Sequence, residues 1–343
     1  MLTSFLGKDI GHDKHPFIVA EISCNHEGDL SQAKILIEEA KAAGADAVKI
    51  QVYTPDDMTI KVDRGKALAN GFDILEGTWA GRNLYDLYEK TQTTYQMGRE
   101  LILHAETIGI PIFASVFSPW APNYIKLEAF KIASFELTDT FLIRHIAKQN
   151  KPMVLSTGMA SIPEIEDAVA CCNPENVILL HCISAYPTKL DRCNLHKIKT
   201  LGDVFGLPVG FSDHTRGIIA GPLAAALGAV MLEKHLALQG THSEDESFSL
   251  HPHEFKLYCM YCRQAAEATF RTVLPEEVPS RQFRRSLYVV RDIEEGEAFT
   301  MGNVRSIRPG LGMEASKLTW VISGHRATMK LKAGTALKVE HLS

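Results

Sequence analysis

The chain lacks the features that would assign it at once to several broad classes. No apolar run approaches the roughly 20 residues that a membrane-spanning helix requires. Lys and Arg are scattered, without a basic block, and the formal net charge is −5 with a pI near 6.3. Nothing in that balance draws the chain to nucleic acid or to a membrane surface. The first residues, MLTSFLGKDIGHDKHP, are too mixed in charge for a signal peptide. There is no disulfide framework: the seven cysteines are odd in number and irregularly spaced, as expected of reduced thiols in a cytoplasmic protein. Cys259 and Cys262 form a C-x-x-C with no second pair at zinc-ribbon distance, and within a helical pattern they read as buried thiols on one helix face.

What the sequence has is alternation. Eight short apolar runs, at 17–23, 47–53, 111–117, 129–134, 152–157, 177–184, 207–212 and 230–236, are separated by amphipathic segments. One such segment carries Ala33, Leu36, Ile37 and Ala40 at the i, i+3, i+4, i+7 spacing of a buried helix face, with Ser31 near its start and Gly44 at its end. Eight β-then-α units predict the α/β class and a closed TIM (β/α)8 barrel of about 250 residues. One gap, Thr54 to Gln92, is too long for a βα loop and holds GTWAGRNLYDLYEKTQTTY; it reads as a lid or binding loop, or as a subunit-packing arm. After the barrel, 1–271, the Pro-containing stretch 272–285 reads as a linker. Residues 286–343 read as a small, mostly β second domain punctuated by E-G-E, P-G-L-G and A-G-T turns.

Ligand chemistry in such barrels sits at the carboxyl ends of the strands. Nearly every run ends in a group able to hold an anion, a metal or a proton: Glu21; Lys49 and Gln51; Ser115; Lys131, Ser134 and Glu136; Ser156; His181, Ser184 and Tyr186; Ser212, Asp213 and His214; Glu233, Lys234 and His235. His214 and His235 end adjacent strands at matching height, and two imidazoles with open positions suit a catalytic divalent metal, with Asp213, Glu233 or Asp245 supplying oxygens or orienting the rings. Lys49 and Lys131 alternate with strand apolar residues. Facing the barrel, each needs an anion partner or serves as a Schiff-base nucleophile.

The ordered motifs AEISCNHEGDL, GADAVKIQVYTPD, FKIASFELTD, MVLSTGMA, LLHCISAYPT, VGFSDHTRG and LEKHL resemble the sialic acid synthase family, over nearly the whole chain. The tail, SLYVVRDIEEGE…VRSIRPGLG, resembles that family's antifreeze-like (SAF) domain. The resemblance implies a transferase that condenses phosphoenolpyruvate with an N-acylated amino sugar and releases phosphate, using a divalent metal (Mn2+ or Mg2+, or else Zn2+ or Co2+) held by His214 and His235. It implies phosphoenolpyruvate contacts from Lys49, Ser115, Lys131, Ser134, Ser156, Ser184 and Ser212, and proton or water handling by Glu21 and Glu136. Gln51, Tyr186 and Asp245 match positions facing the sugar. Arg308 matches an arginine that a partner subunit's tail inserts over the acyl group, which implies a domain-swapped homodimer. Ser184 departs from the asparagine of the sialic acid members. The long insertion and THSEDESFSL resemble the branch taking a 2,4-diacetamido-2,4,6-trideoxy-L-altrose more closely than the members taking N-acetylmannosamine or a trideoxymannose. Two other classes remain: a metal-free lysine aldolase, and an inactive barrel with a sugar-binding or assembly tail.

Overall fold

The computed structural model describes residues 2–62, 72–269 and 277–343. The chain divides into two compact units, Met1–Phe270 and Arg271–Ser343. Part of the 272–285 linker and part of the long insertion lie outside the described residues.

All eight apolar runs become parallel strands: β1 Phe17–Glu21, β2 Ala47–Val52, β3 Ile112–Val116, β4 Phe130–Ile132, β5 Met153–Ser156, β6 Val177–His181, β7 Val209–Asp213 and β8 Met231–His235. They pair in sequence order, and β8 returns to β1 to close the barrel. The strand period of two sorts their side chains. Val19, Ala47, Phe113, Ala129, Val154, Ile178 and Leu180 point inward and form one apolar cluster. Ile18, Ala20, Val48, Ile50, Ala114, Leu155 and Leu179 point outward into the layer under the helices. The N-terminal hairpin, Ser4–Phe5 against Lys8–Asp9, closes the barrel's amino end. Its Phe5 packs edge-on against Phe17 and Phe113, with ring centroids 5.1 and 5.5 Å away. The amino end is therefore filled with aromatic carbon.

The helices follow their sequence signals. In α1, Leu30–Ala42, Asp29 is the N-cap, accepting from the Ser31 and Gln32 amides, so Ser31 lies in the first turn. Gly44 follows at φ +94°, a conformation that disfavours a Cβ. The insertion contributes α2, Leu84–Thr91, ahead of α3, Tyr95–Ile108. The last barrel helix, α4, spans Pro252–Glu267 and buries both Cys259 and Cys262 in the outer core. No helix among the described residues is long and apolar enough to cross a membrane.

The second unit has its own core of Leu287, Val289, Ile293, Phe299, Val304, Val321, Leu331 and Leu337. Its regular strand content is smaller than the sequence suggests. Among the described residues only β9, Ser286–Val289, and β10, Val304–Ile307, form a ladder there. The third apolar piece, 327–338, contributes isolated bridges such as Ile293↔Leu331. Its turns recur too often for longer pairing. At Gly312 a Cβ would lie 2.4 Å from the Leu287 carbonyl oxygen, so the P-G-L-G turn owes its second glycine to backbone crowding.

Candidate active site

The open carboxyl end of the barrel holds a cavity of about 350 Å3. Of the residues singled out from sequence, Lys49, Gln51, Ser115, Lys131, Ser134, Glu136, Ser156, Tyr186, Ser212, His214, His235 and Asp245 all line it. Ser184 lies just behind: its hydroxyl is buried without a hydrogen-bond partner, beside Gly158. Glu21 is fully buried beneath the cavity and does not line it; it touches the lining through Lys49 and through the Ser23 amide, which donates to its Oε1 at 2.6 Å. Arg308 belongs to the second unit, where it is exposed.

Strand register builds the floor. Glu21 pairs with Lys49 across β1 and β2, and Ser115 with Lys131 across β3 and β4. Lys49 Nζ lies 2.5 Å from Glu21 Oε2, 3.4 Å from Glu233 Oε2, and donates to Ser115 Oγ at 2.9 Å. Burial alone would lower this lysine's pKa, but the two carboxylates outweigh it and hold the ammonium above its ordinary range. Burial also raises Glu21, with Glu233 adding repulsion against Lys49's attraction. In Glu233 the burial penalty is overcome by Lys49, Lys131 and the Ser212 hydroxyl, and its carboxyl falls below the usual range.

The second lysine has a different environment. Lys131 Nζ donates to Ser156 Oγ at 2.6 Å and to the Ile132 carbonyl at 2.9 Å, and among the described residues no carboxylate lies at ion-pair distance from it. Burial lowers it to about 8, partly offset by Glu233. Ser134 Oγ accepts from the Gly158 amide at 3.2 Å. A Cβ on Gly158 would come within 2.3 Å of Ser184 Oγ and 2.8 Å of Ser134 Oγ. The missing side chain lets two hydroxyls and a backbone N–H converge at the edge of the cavity that Lys131 also lines. That donor set suits a phosphate or carboxylate.

His214 and His235 face one another with ring centroids 5.6 Å apart. His214 Nδ1 lies 3.2 Å from the Ile183 carbonyl, which can only accept, so Nδ1 carries the proton and Nε2 keeps its lone pair. Burial lowers the pKa of His214 to about 4 and that of His235 well below the ordinary value. The buried His235 Nδ1 has no hydrogen-bond partner, and Asp245 Oδ2 lies 3.6 Å away. Two neutral imidazoles with free lone pairs beside carboxylates fit a divalent cation with open positions. Among the described residues no cluster of three or more His, Cys, Asp or Glu is spaced to hold a metal.

Three strand-end residues point away from the mouth. Asp213 accepts from Thr215, and Lys234 lies 3.5 Å from it in the outer layer. His181 turns to the Cys193 carbonyl, 2.7 Å from its Nε2. Asp213 therefore does not serve the imidazole pair with an oxygen. Glu136 lines the cavity from the 3-10 turn Ser134–Glu136, and burial lifts it to about 7 against the pull of Lys131.

The insertion is part of the cavity wall: Trp79, Leu84, Leu87, Tyr88 and Thr91 line it. Trp79 packs on Tyr186 at 5.5 Å, and Tyr186 on His214 at 4.4 Å. Arg82 and Lys90 both donate to Glu244 Oε1, at 2.9 and 2.8 Å, fastening the insertion to the loop after β8. Glu244, Trp79 and Tyr88 are wall residues that strand-end reasoning passes over. For Trp79 and Tyr88 the signal is the aromatic-rich insertion itself, whose lining role follows from where it folds; Glu244 lies in THSEDESFSL, after β8.

Fold and site together define a (β/α)8-barrel protein with two buried lysines among serine hydroxyls and an imidazole pair at the carboxyl ends of its strands. The chain belongs to the NeuB family, whose model matches residues 36–272. It is 40% identical over 336 residues to the pseudaminic acid synthase of Campylobacter jejuni, covering 95% of this chain and 96% of that one. It is 38% identical over 317 residues to an N,N'-diacetyllegionaminic acid synthase of the same species, covering 89% and 93%. The crystal structure of an N-acetylneuraminic acid synthetase from Leptospira borgpetersenii, 29% identical, superposes with a TM-score of 0.70 over 81% of this chain and 94% of that one.

Proposed function

We propose that the chain is a pseudaminic acid synthase, a carbon–carbon bond-forming transferase that joins phosphoenolpyruvate to 2,4-diacetamido-2,4,6-trideoxy-L-altrose and releases phosphate. The observation that carries this reading is one cavity joining the Lys131–Ser134–Ser156 cradle to the imidazole pair, in a chain 40% identical to such a synthase over 95% of its length.

C3 of phosphoenolpyruvate attacks C1 of the open-chain sugar, forming the new bond as the aldehyde oxygen gains a proton. Water adds at the cationic C2 and gives up a proton. The C2–O bond to phosphate then breaks and leaves the ketone. Lys131 and the hydroxyls of Ser115, Ser134, Ser156, Ser184 and Ser212 hold the phosphate and carboxylate through these steps. Lys49, fixed as an ammonium between Glu21 and Glu233, supplies constant positive charge beneath them. Glu136, the carboxylate that opens on the cavity with a pKa about 7, takes the proton of the water; Glu21 acts through Lys49. Gln51, Tyr186 and Asp245 face the sugar. His214 and His235 would hold a divalent metal such as Mn2+ or Mg2+, which when bound polarises the aldehyde as a Lewis acid.

The same proposal includes the second unit as an SAF domain and a domain-swapped homodimer placing Arg308 over the sugar's acyl group, on the strength of the SIRPGLG resemblance. A cytoplasmic setting accords with seven free thiols. A second reading, a Schiff-base aldolase, rests on Lys131, whose lowered pKa suits a nucleophilic amine.

The test is phosphate release from phosphoenolpyruvate with the altrose sugar, its manno isomer or N-acetylmannosamine, with and without EDTA. Release with the altrose sugar alone, abolished by EDTA, supports the proposal. Release with another sugar moves the assignment to a legionaminate or N-acetylneuraminate synthase. A borohydride-trapped lysine adduct without phosphate release overturns it in favour of the aldolase.

A further inference from the structure

Helix α2 turns its apolar face into the cavity. Leu84, Leu87, Tyr88 and Thr91 follow the i, i+3, i+4, i+7 spacing that ordinarily buries a helix against a core. Here all four line the cavity. Across from them Tyr53 and Phe117, each one residue past a strand end, complete the wall. Tyr53 packs edge-on against Tyr88 at 5.9 Å and Phe117 at 5.3 Å, and its hydroxyl lies 2.8 Å from Thr91 Oγ1. Arg82 precedes the N-cap of α2 and Lys90 lies in its last turn, so their shared bond to Glu244 holds both ends of the helix. The cavity is therefore two-sided, with a polar floor for an anion and a fastened hydrocarbon wall.

An apolar helix face kept against open volume gains its burial energy only when something apolar fills that volume. We infer that the Leu84–Leu87–Tyr88 face of α2, with Tyr53 and Phe117, is the specificity-determining wall that receives the C6 methyl edge of the sugar and selects a 6-deoxy sugar over its 6-hydroxy counterpart. The inference rests on the proposed synthase reading and deepens it, because it assigns the choice of sugar to the insertion together with the two aromatics that follow β2 and β3. A wall of this kind discriminates by desolvation, and an added hydroxyl in an apolar pocket changes kcat/KM by roughly 10- to 100-fold.

The experiment measures kcat/KM of the full-length protein for the 2,4-diacetamido-trideoxy sugar and for the same sugar carrying a C6 hydroxyl, together with KM for phosphoenolpyruvate. Leu87→Ser and the less buried Leu84→Ser are compared with the unsubstituted protein, with folding followed by circular dichroism. The expected result is a loss of about tenfold or more in the deoxy-to-hydroxy ratio, with KM for phosphoenolpyruvate changed less than about twofold. An unchanged ratio in a folded variant overturns the inference. If Leu87→Ser fails to fold, Leu84→Ser decides. Failure of the unsubstituted protein to turn over either sugar sinks the synthase reading instead, so the two failures are distinguishable.

Discussion

Lys49 Nζ lies 2.5 Å from Glu21 Oε2 at the floor of the barrel mouth, with both groups almost wholly removed from solvent. Breaking a buried pair of this kind leaves an uncompensated charge and costs about 3–5 kcal/mol. Glu233, 3.4 Å from Lys49 Nζ, remains as a second partner, so Glu21→Ala is expected near the lower end of that range. Urea unfolding measures it. A loss below about 1 kcal/mol would show that Glu233 alone satisfies the ammonium.

Glu136, as the proposed base, is expected to set the acid limb of the pH profile. Its carboxyl is raised to about 7 by burial, against Lys131 and with Asp139 adding to the rise. A base must be ionised to accept a proton, so kcat should fall about tenfold per pH unit below that value and level off above it. Glu136→Gln is expected to lower kcat by about 100-fold or more and to remove that limb. A limb that persists in the variant assigns it to another group.

Removing the metal tests the imidazole pair. Dialysis against EDTA is expected to abolish phosphate release, and Mn2+ to restore it. His214→Ala and His235→Ala should each weaken Mn2+ binding, read by calorimetry, by about tenfold or more. Full activity of both variants in chelating buffer refutes the metal assignment.

Gly158 has no room for a methyl group. Its Cβ would stand 2.3, 2.8 and 2.9 Å from Ser184 Oγ, Ser134 Oγ and Cys182 Sγ. Gly158→Ala should disorder the hydroxyl cradle at a cost of about 1–3 kcal/mol. The kinetic sign is a raised KM for phosphoenolpyruvate with the sugar KM little altered, from initial rates. The reverse pattern would move the anion elsewhere in the cavity.

The barrel was legible because its signals are local and repeated. Eight apolar runs, each followed by an amphipathic segment, leave few topologies, and each run became a strand. The alternation within a strand also says which side chains share a face, so Lys49 with Gln51 and Glu233 with His235 could be placed at the mouth together. The second unit was less legible, because short pieces between frequent turns look like strands whether or not they find a ladder. Its 327–338 piece found only isolated bridges.

The sequence by itself determined the fold class, the side of the barrel on which chemistry sits and most of the polar groups gathered there, since strand period and chain order depend on near neighbours. Tertiary structure alone decided which of two candidate carboxylates opens on the cavity, Glu136 rather than Glu21, and which of two buried lysines stays charged between acids. It also decided that the face of α2 looks into open volume instead of a core. Those outcomes depend on partners far along the chain: Glu21 and Glu233 around Lys49, and Glu244 holding Arg82 and Lys90. Desolvation and charge pairing are set by distance in space, and a helical stripe records only that a face is apolar.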